Sequence, residues 1–382
     1  MDRAYWRWSA GAQLYRLPIA MGPLAFTLMT TALTGSYRLG GVMVAVLVVA
    51  EIAGAVPCGR LLDRVGAAHG LVLLLVATGT AMTLLVVAGW AGAGDGVLLA
   101  LVVVPGMAVG GLSGGFRSLL GGVVPDAQLP RALAIDAMLF EGVLIAGPLL
   151  VSALSPISAL VPLVAMATAY FAAALLVPRA TAPAPRTAAK LPVRRALPWL
   201  ACLFALGHLL ATVEVAPLPL VQRLGGDPAL ASLVIVVLSG SGIAGSALFA
   251  WRRPPAGRRP ALRMLTGFVL GGSVLAADLG WPGLFTGAAL VGGCTGPLLT
   301  VASVRLQRLL PEGRRAEGFS TAFVVQGSGF GLGSLSVGVL PLWLAPALGV
   351  VSSATACAML ALLTSSEEAT DDRRGAEADQ RP

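Results

Sequence analysis

Twelve apolar runs, each close to the length that crosses a bilayer, follow one another along this chain with only short polar breaks between them. They lie at residues 17–36, 38–58, 70–90, 96–116, 132–153, 158–178, 197–221, 229–250, 262–280, 283–304, 316–340 and 343–363. A spanning helix needs about 20 apolar residues. No water-soluble core hides this much apolar surface, since 57% of the 382 residues are hydrophobic and 12% are charged. The chain therefore reads as an all-α membrane protein of twelve transmembrane helices. The first run follows Arg3, Arg7 and Arg16 but continues to Ser36, too long for a cleaved signal, and is taken as the first span.

The cations fix an orientation. With the N-terminus in the cytoplasm, 24 of the 26 Lys+Arg fall on the cytoplasmic side, and Arg38 and Arg223 alone fall outside. So lopsided a split implies an even number of spans with both termini inside, as the positive-inside rule requires. The net charge of +8 is then a topological signal, and no nucleic-acid partner is implied. All seven tryptophans lie near span ends, where headgroup anchoring is expected. Cys58, Cys202, Cys294 and Cys357 are scattered singly and suggest neither a disulfide framework nor a metal site.

The runs fall into two sets of six. Arg38-Leu39-Gly40-Gly41 recurs as Arg223-Leu224-Gly225-Gly226, and Ile52-Ala53-Gly54 as Ile243-Ala244-Gly245, at offsets of 185 and 191. Pro105 and Pro297 match at an offset of 192, and Pro125-Asp126 with Arg131-Ala132 is echoed by Pro311-Glu312 with Arg315-Ala316. The expected organisation is two six-helix bundles related by a parallel repeat, at 1–178 and 197–363. A cytoplasmic linker at 179–196 and a disordered cytoplasmic tail at 364–382 complete it.

Between the second and third runs stands Gly59-Arg60-Leu61-Leu62-Asp63-Arg64-Val65-Gly66, a charged turn in a charge-poor chain. The pattern of Gly59, Leu61, Asp63, Arg64 and Gly66 resembles the signature loop of the major facilitator superfamily, although Ala67-Ala68 stands where that family carries a basic pair. The resemblance extends over the twelve-span duplication and implies the major facilitator fold. It also implies a conformational latch, in which Asp63 meets a helix N-terminus or a nearby cation and, with Arg64, steadies the outward-facing state. Alternatively, Arg60 and Arg64 serve only to keep the loop inside. Gly142 and Gly147-Pro148 are similar to a loosened form of the fifth-span motif of the family's antiporters; helix packing through small residues explains the same glycines.

The phosphate-loop pattern of ATP-driven machines is absent, so no cofactor is expected and a proton gradient is the expected energy source. Acids inside spans are costly and by default functional. Glu141 lies roughly 15 Å along its helix from Arg131, about mid-membrane, and is the first candidate for proton coupling. A protonated structural Glu is the alternative. Glu51, Asp136 and Glu214 are further candidates.

Thr27, Thr30, Thr31 and Thr34 form one hydroxyl stripe at helical spacing, facing either substrate or their own helix. Arg117, His208 and Gln326 are the other candidate cavity residues. The chain has no Asn and many apolar side chains, which favours an amphipathic cargo over a sugar.

Three readings follow. The first is a proton-coupled exporter of small amphipathic molecules, such as a drug or secondary metabolite. The second is a facilitator or symporter of a small polar or anionic solute, and the third a non-transporting membrane subunit or receptor of the same fold. No nucleophile-base pairing or metal-ligand spacing points to an enzyme. The expected partners are the lipid bilayer and a small-molecule substrate, for a monomer in the cell's inner membrane.

Overall fold

The computed structural model describes residues 1–35, 38–178, 191–227, 230–252 and 256–379, with side chains described up to residue 362 except that of Leu218. Among the described residues the secondary structure is helical throughout. The helices are α1 (Arg3–Thr34), α2 (Arg38–Val65), α3 (Ala67–Trp90), α4 (Asp95–Val123), α5 (Leu129–Leu154), α6 (Val161–Leu176) and α7 (Val193–Val215). They continue with α8 (Pro217–Arg223), α9 (Leu230–Arg252), α10 (Arg258–Ala276), α11 (Gly280–Leu309), α12 (Arg315–Val339) and α13 (Leu344–Asp379).

Each expected span coincides with one helix, α8 being a short continuation of α7 beyond the break at Pro217. Among the described residues ten helices are long and apolar enough to cross a membrane, by length and composition. The other two are α6, of 16 residues, and α10, with Arg258, Arg259 and Arg263 in its first two turns.

Three expectations change. First, α1 begins at Arg3, well before the apolar run, because Asp2 caps it by accepting from the Tyr5 backbone nitrogen at 2.9 Å. Its early turns bury Tyr5, Trp8, Ala12 and Tyr15. Trp8 donates from Nε1 to the Phe116 carbonyl at 2.7 Å and is fully buried, as is Trp199, so neither serves as a headgroup anchor. Trp6, Trp90, Trp251 and Trp343 are exposed, as anchoring requires.

Second, the charged stretch expected to be a loop is helix as far as Val65. Ala55, Gly59 and Leu62 are buried at helical spacing, so the inward stripe of α2 runs past the end of its apolar run. Gly66 alone joins α2 to α3, and its φ of +90° is a backbone state that side-chain-bearing residues rarely adopt. Third, α13 continues as helix to Asp379 across the tail expected to be disordered, a stretch rich in the helix formers Ala, Glu and Arg.

The chain divides into two compact units. The first comprises Met1–Ala132, Leu139–Leu191 and Leu310–Val324; the second comprises Leu133–Met138, Pro192–Leu309 and Val325–Pro382. The division differs from halves of 1–178 and 197–363 by the two exchanged segments, one from α5 and one from α12. The central part of the expected linker, 179–190, lies outside the described residues.

Within each unit the closest helix pair is built on glycine. In the first, α2 and α4 approach so nearly that a Cβ on Gly54 would collide with Met107, one on Gly106 with Leu47 and Ala50, and one on Gly110 with Ala55. In the second, α9 and α11 repeat the arrangement: Gly245 meets Gly293, Gly292 meets Leu238 and Ser241, and Gly296 meets Ser246. The duplication is thus written in three dimensions, at an offset of 191 for α2 and α9 but 186 for α4 and α11. The Pro105 and Pro297 match at 192 is therefore a coincidence. A proline is tolerated wherever a kink is, whereas a glycine at a backbone crossing cannot be moved.

Candidate functional site

The glycine seam of α2 and α4 forms a groove that ends beside Gly59 and Gly114. Ser320, in the α12 segment that belongs to this unit, fills it. A Cβ on Gly59 would lie 2.6 Å from Ser320 Oγ, and one on Gly114 would lie 2.6 Å from the Ala316 carbonyl oxygen. The Ser320 hydroxyl donates to the Gly110 carbonyl at 3.1 Å. Glycines at these positions admit another helix where any side chain would hold it off.

One turn earlier the same segment is held electrostatically. The Asp63 carboxylate accepts from the backbone nitrogens of Ala316 at 3.0 Å and Glu317 at 2.8 Å. The first N–H groups of a helix have no partner within it, and the residue preceding α12 is Arg314, a side chain with no acceptor. Asp63 therefore supplies, from α2, the cap that α12 lacks.

Glu317 in turn accepts from Arg60 Nε at 2.9 Å and from Arg314 Nε and Nη2 at 3.0 and 2.8 Å. Its carboxylate is almost wholly buried, while Arg60 is more than half exposed. Asp63 thus meets a helix N-terminus, and the cation of α2 that joins the contact, through Glu317, is Arg60, not Arg64, which is exposed at the helix end. Leu61 is also exposed, and Gly66 forms the joint to α3.

Sequence reasoning missed Glu317, Arg314 and Ser320. The available signal was Glu317 itself, an acid just after the recurrent Arg-Ala pair in an otherwise apolar run.

Arg16 was also missed as a site residue, having been counted among the topological cations. It is buried in the wall of the first unit, 5.1 Å from the centre of the Phe140 ring and 5.6 Å from that of Tyr15. It donates to the Tyr15 hydroxyl at 3.3 Å and to Gln13 Oε1 at 3.4 Å. Phe116 stacks on Tyr15 with centroids 4.9 Å apart, so one of the two rings beside this permanent cation is itself packed in place.

The candidate acids are divided between the two units. Glu51 on α2 and Glu141 on α5 are half-buried in the first unit, next but one to Ala53 and next to Phe140 respectively. Asp136 is buried in the part of α5 assigned to the second unit, where Glu214 lies half-buried near the end of α7. Arg117 is half-buried beside Phe116, and Gln326 is half-buried on α12. His208 is buried on α7.

Gly142 faces open space, whereas a Cβ on Gly147 would lie 2.6 Å from that of Ala20 on α1; Pro148 is exposed. The four threonine hydroxyls all donate to carbonyls four residues back, those of Pro23, Phe26, Thr27 and Thr30, at 2.7 to 2.9 Å. Thr27 and Thr30 also pack on Gly40 of α2.

A small apolar cavity of about 10 Å³ lies inside the first unit among α1, α2, α3, α4 and α6, lined by Phe26, Leu47, Met82, Pro105, Met166 and Tyr170 among others. None of the candidate acids lines it. Among the described residues no group of three or more His, Cys, Asp or Glu is placed to hold a metal ion.

A sequence profile described as the Major Facilitator Superfamily matches residues 14–334. No curated protein sequence matches the chain. Among solved structures, the chain is similar to a bacterial homologue of the iron transporter ferroportin in its outward-facing state, with a TM-score of 0.77 and 16% identity. The similarity covers 95% of this chain and 100% of that one. It is also similar to the human organic anion transporter MFSD10, with a TM-score of 0.68, 14% identity and coverage of 94% and 97%. The E. coli fucose:proton symporter has a TM-score of 0.70, 13% identity and coverage of 94% and 96%.

Proposed function

The chain belongs to the major facilitator superfamily, and we propose that it is a proton-coupled exporter of small amphipathic molecules, a drug or secondary-metabolite efflux transporter working by alternating access. The observation that carries this reading is Glu141, a half-buried carboxyl in the middle of the apolar helix α5. An acid is expensive in a membrane span and persists there for a use. Taking up and releasing a proton as its surroundings alternate between wet and dry is such a use. Asp63 and the Glu317 cluster supply the second element of the cycle, a lock that holds one state until driven open.

In this reading no cofactor is needed, and the gradient across the inner membrane supplies the energy. Both termini lie in the cytoplasm, where the arginines are concentrated, and the monomer is the working unit. The scarcity of side-chain amides supports an amphipathic cargo over a sugar.

The test is uptake of a panel of amphipathic compounds into proteoliposomes, with and without an imposed pH gradient, for the parent chain and Glu141→Gln. Gradient-driven transport should vanish in the variant. Unchanged driven transport would remove Glu141 from the coupling role.

A second reading is favoured by Arg16. A buried guanidinium beside two aromatic rings suits a flat organic anion, and a facilitator or symporter of anionic solutes would use it as the anchor. Anionic and cationic members of the same cargo panel separate the two readings.

A further inference from the structure

We propose that Arg259 and Arg263, on the outward face of α10, form a binding site for an anionic phospholipid headgroup of the cytoplasmic leaflet. The proposal takes α10 as a span that starts on the cytoplasmic side and rests on no cargo or energy source. The stretch from 228 to 277 holds five arginines, at 252, 253, 258, 259 and 263, and no acid. Cations bunched at the start of a helix repel one another and oppose its dipole. The sequence around them supplies no negative partner.

The arginines of α10 are used in two ways. Arg258 reaches α13, donating from Nη2 to the Ala361 carbonyl at 2.7 Å. Arg259 and Arg263 are exposed one turn apart, and the exposed stripe continues through Thr266 and Leu270. Ala261, Leu265, Phe268 and Leu275 on the other side are buried, and α10 packs on α11 and α13. Both guanidinium groups therefore stand on the face turned to lipid. Among the described residues no carboxylate pairs with either.

Depth sets this pair apart from cations that only mark topology. Asp278, which pairs with Arg223 at 2.6 Å just past the end of α10, marks the far surface. Arg263 lies roughly 22 Å along the helix from Asp278, short of a hydrocarbon thickness of about 30 Å. Its backbone therefore sits inside the hydrocarbon, and any tilt of the helix places it deeper. Helical side chains lean toward the N-terminus of their helix, so the Arg263 guanidinium returns toward Arg259 and the cytoplasmic boundary. Two forked donors then meet at the level of the phosphodiesters, whose oxygens they match. A cation on a lipid-facing surface is costly until a counter-charge reaches it, and in a leaflet that counter-charge is an anionic headgroup.

The acidic tail is the other source of negative charge, and its direction is wrong. Arg258 meets Ala361 while a Cβ on Gly272 would meet Val350, so α10 and α13 run antiparallel. Beyond Ala361, α13 continues away from the level of Arg263, and the acids from Glu367 onward follow on that side.

The test is native mass spectrometry of the full chain released from nanodiscs of equal phosphatidylcholine and phosphatidylglycerol, counting the lipids retained. The parent should retain phosphatidylglycerol preferentially, and Arg259→Gln/Arg263→Gln should lower that preference by about fivefold or more. Arg3→Gln/Arg194→Gln removes two other exposed arginines and should keep the parent's preference. Excess inorganic phosphate should not displace the lipid, and Glu367→Gln/Glu368→Gln should change nothing.

No preference in the parent, an unchanged preference in the α10 variant, or an equal fall in the control overturns the proposal. Displacement by inorganic phosphate overturns it in favour of an aqueous anion site, and a rise in the tail variant overturns it in favour of the tail. If the double variant does not fold, Arg263→Gln decides alone. The readout needs no transported compound, so an error about export or coupling leaves it intact.

Discussion

Asp63 holds the first turn of α12 through the backbone nitrogen of Glu317, 2.8 Å from its carboxylate. The helix that receives this cap begins with Arg315, after Arg314, and cannot cap itself, so the strength of the contact is set from α2. Asp63→Asn keeps an acceptor but loses the charge, and is expected to cost about 1 kcal/mol of stability. Asp63→Ala should cost about 2 kcal/mol. Thermal unfolding in detergent ranks the two, and equal stability of both variants with the parent would refute the capping role.

Glu317 divides its two oxygens between Arg60 and Arg314, which differ in exposure. The Arg60 side chain is 56% exposed and that of Arg314 29%. Solvent screening should leave the Arg60 coupling at about 0.5 kcal/mol. The doubly bonded Arg314 pair should reach about 1 kcal/mol or more. Double-mutant cycles with Arg60→Ala, Arg314→Ala and Glu317→Gln give both numbers, and a larger value for Arg60 would reverse this ordering.

The Ser320 groove has no spare room. Gly114→Ala places a methyl against Ser320 and Ala316 and should cost about 2 kcal/mol, with loss of transport. Gly122→Ala, on the same helix but with open space around it, should be neutral or stabilising by about 0.5 kcal/mol. Melting curves of the pair separate steric conflict from any general intolerance of α4 to substitution.

Arg16→Lys retains the charge but loses the flat face set against Phe140. Stability should fall by about 1 kcal/mol. If the anionic-solute reading is correct, transport of organic anions should drop further than that of cations. A parallel drop in both would assign Arg16 a packing role alone.

How far the sequence carried depends on what kind of force was at stake. The twelve helices were legible because hydrocarbon thickness demands long apolar runs, and this demand is local. That Asp63 would meet a helix N-terminus was legible only through resemblance, since nothing in residues 59–66 says where the other half of the contact lies. Glu317 was passed over because an acid near a helix start has an ordinary local explanation, and its partner Arg60 is remote in sequence. Arg16 and Trp8 were misread for a related reason. Both lie ahead of the first apolar run, and burial of that early stretch depends on α4 and α5, which local composition cannot report.

The single residue between α2 and α3 has a mechanical consequence. A connection of one glycine, at φ +90°, keeps the end of α2 close to the start of α3, so in the proposed cycle a rotation at the Asp63 end of α2 would carry α3 with it. On that reading, releasing Asp63 from α12 would tilt two helices in one stroke, and lengthening the joint should leave the Asp63 contact in place while loosening α3 from it.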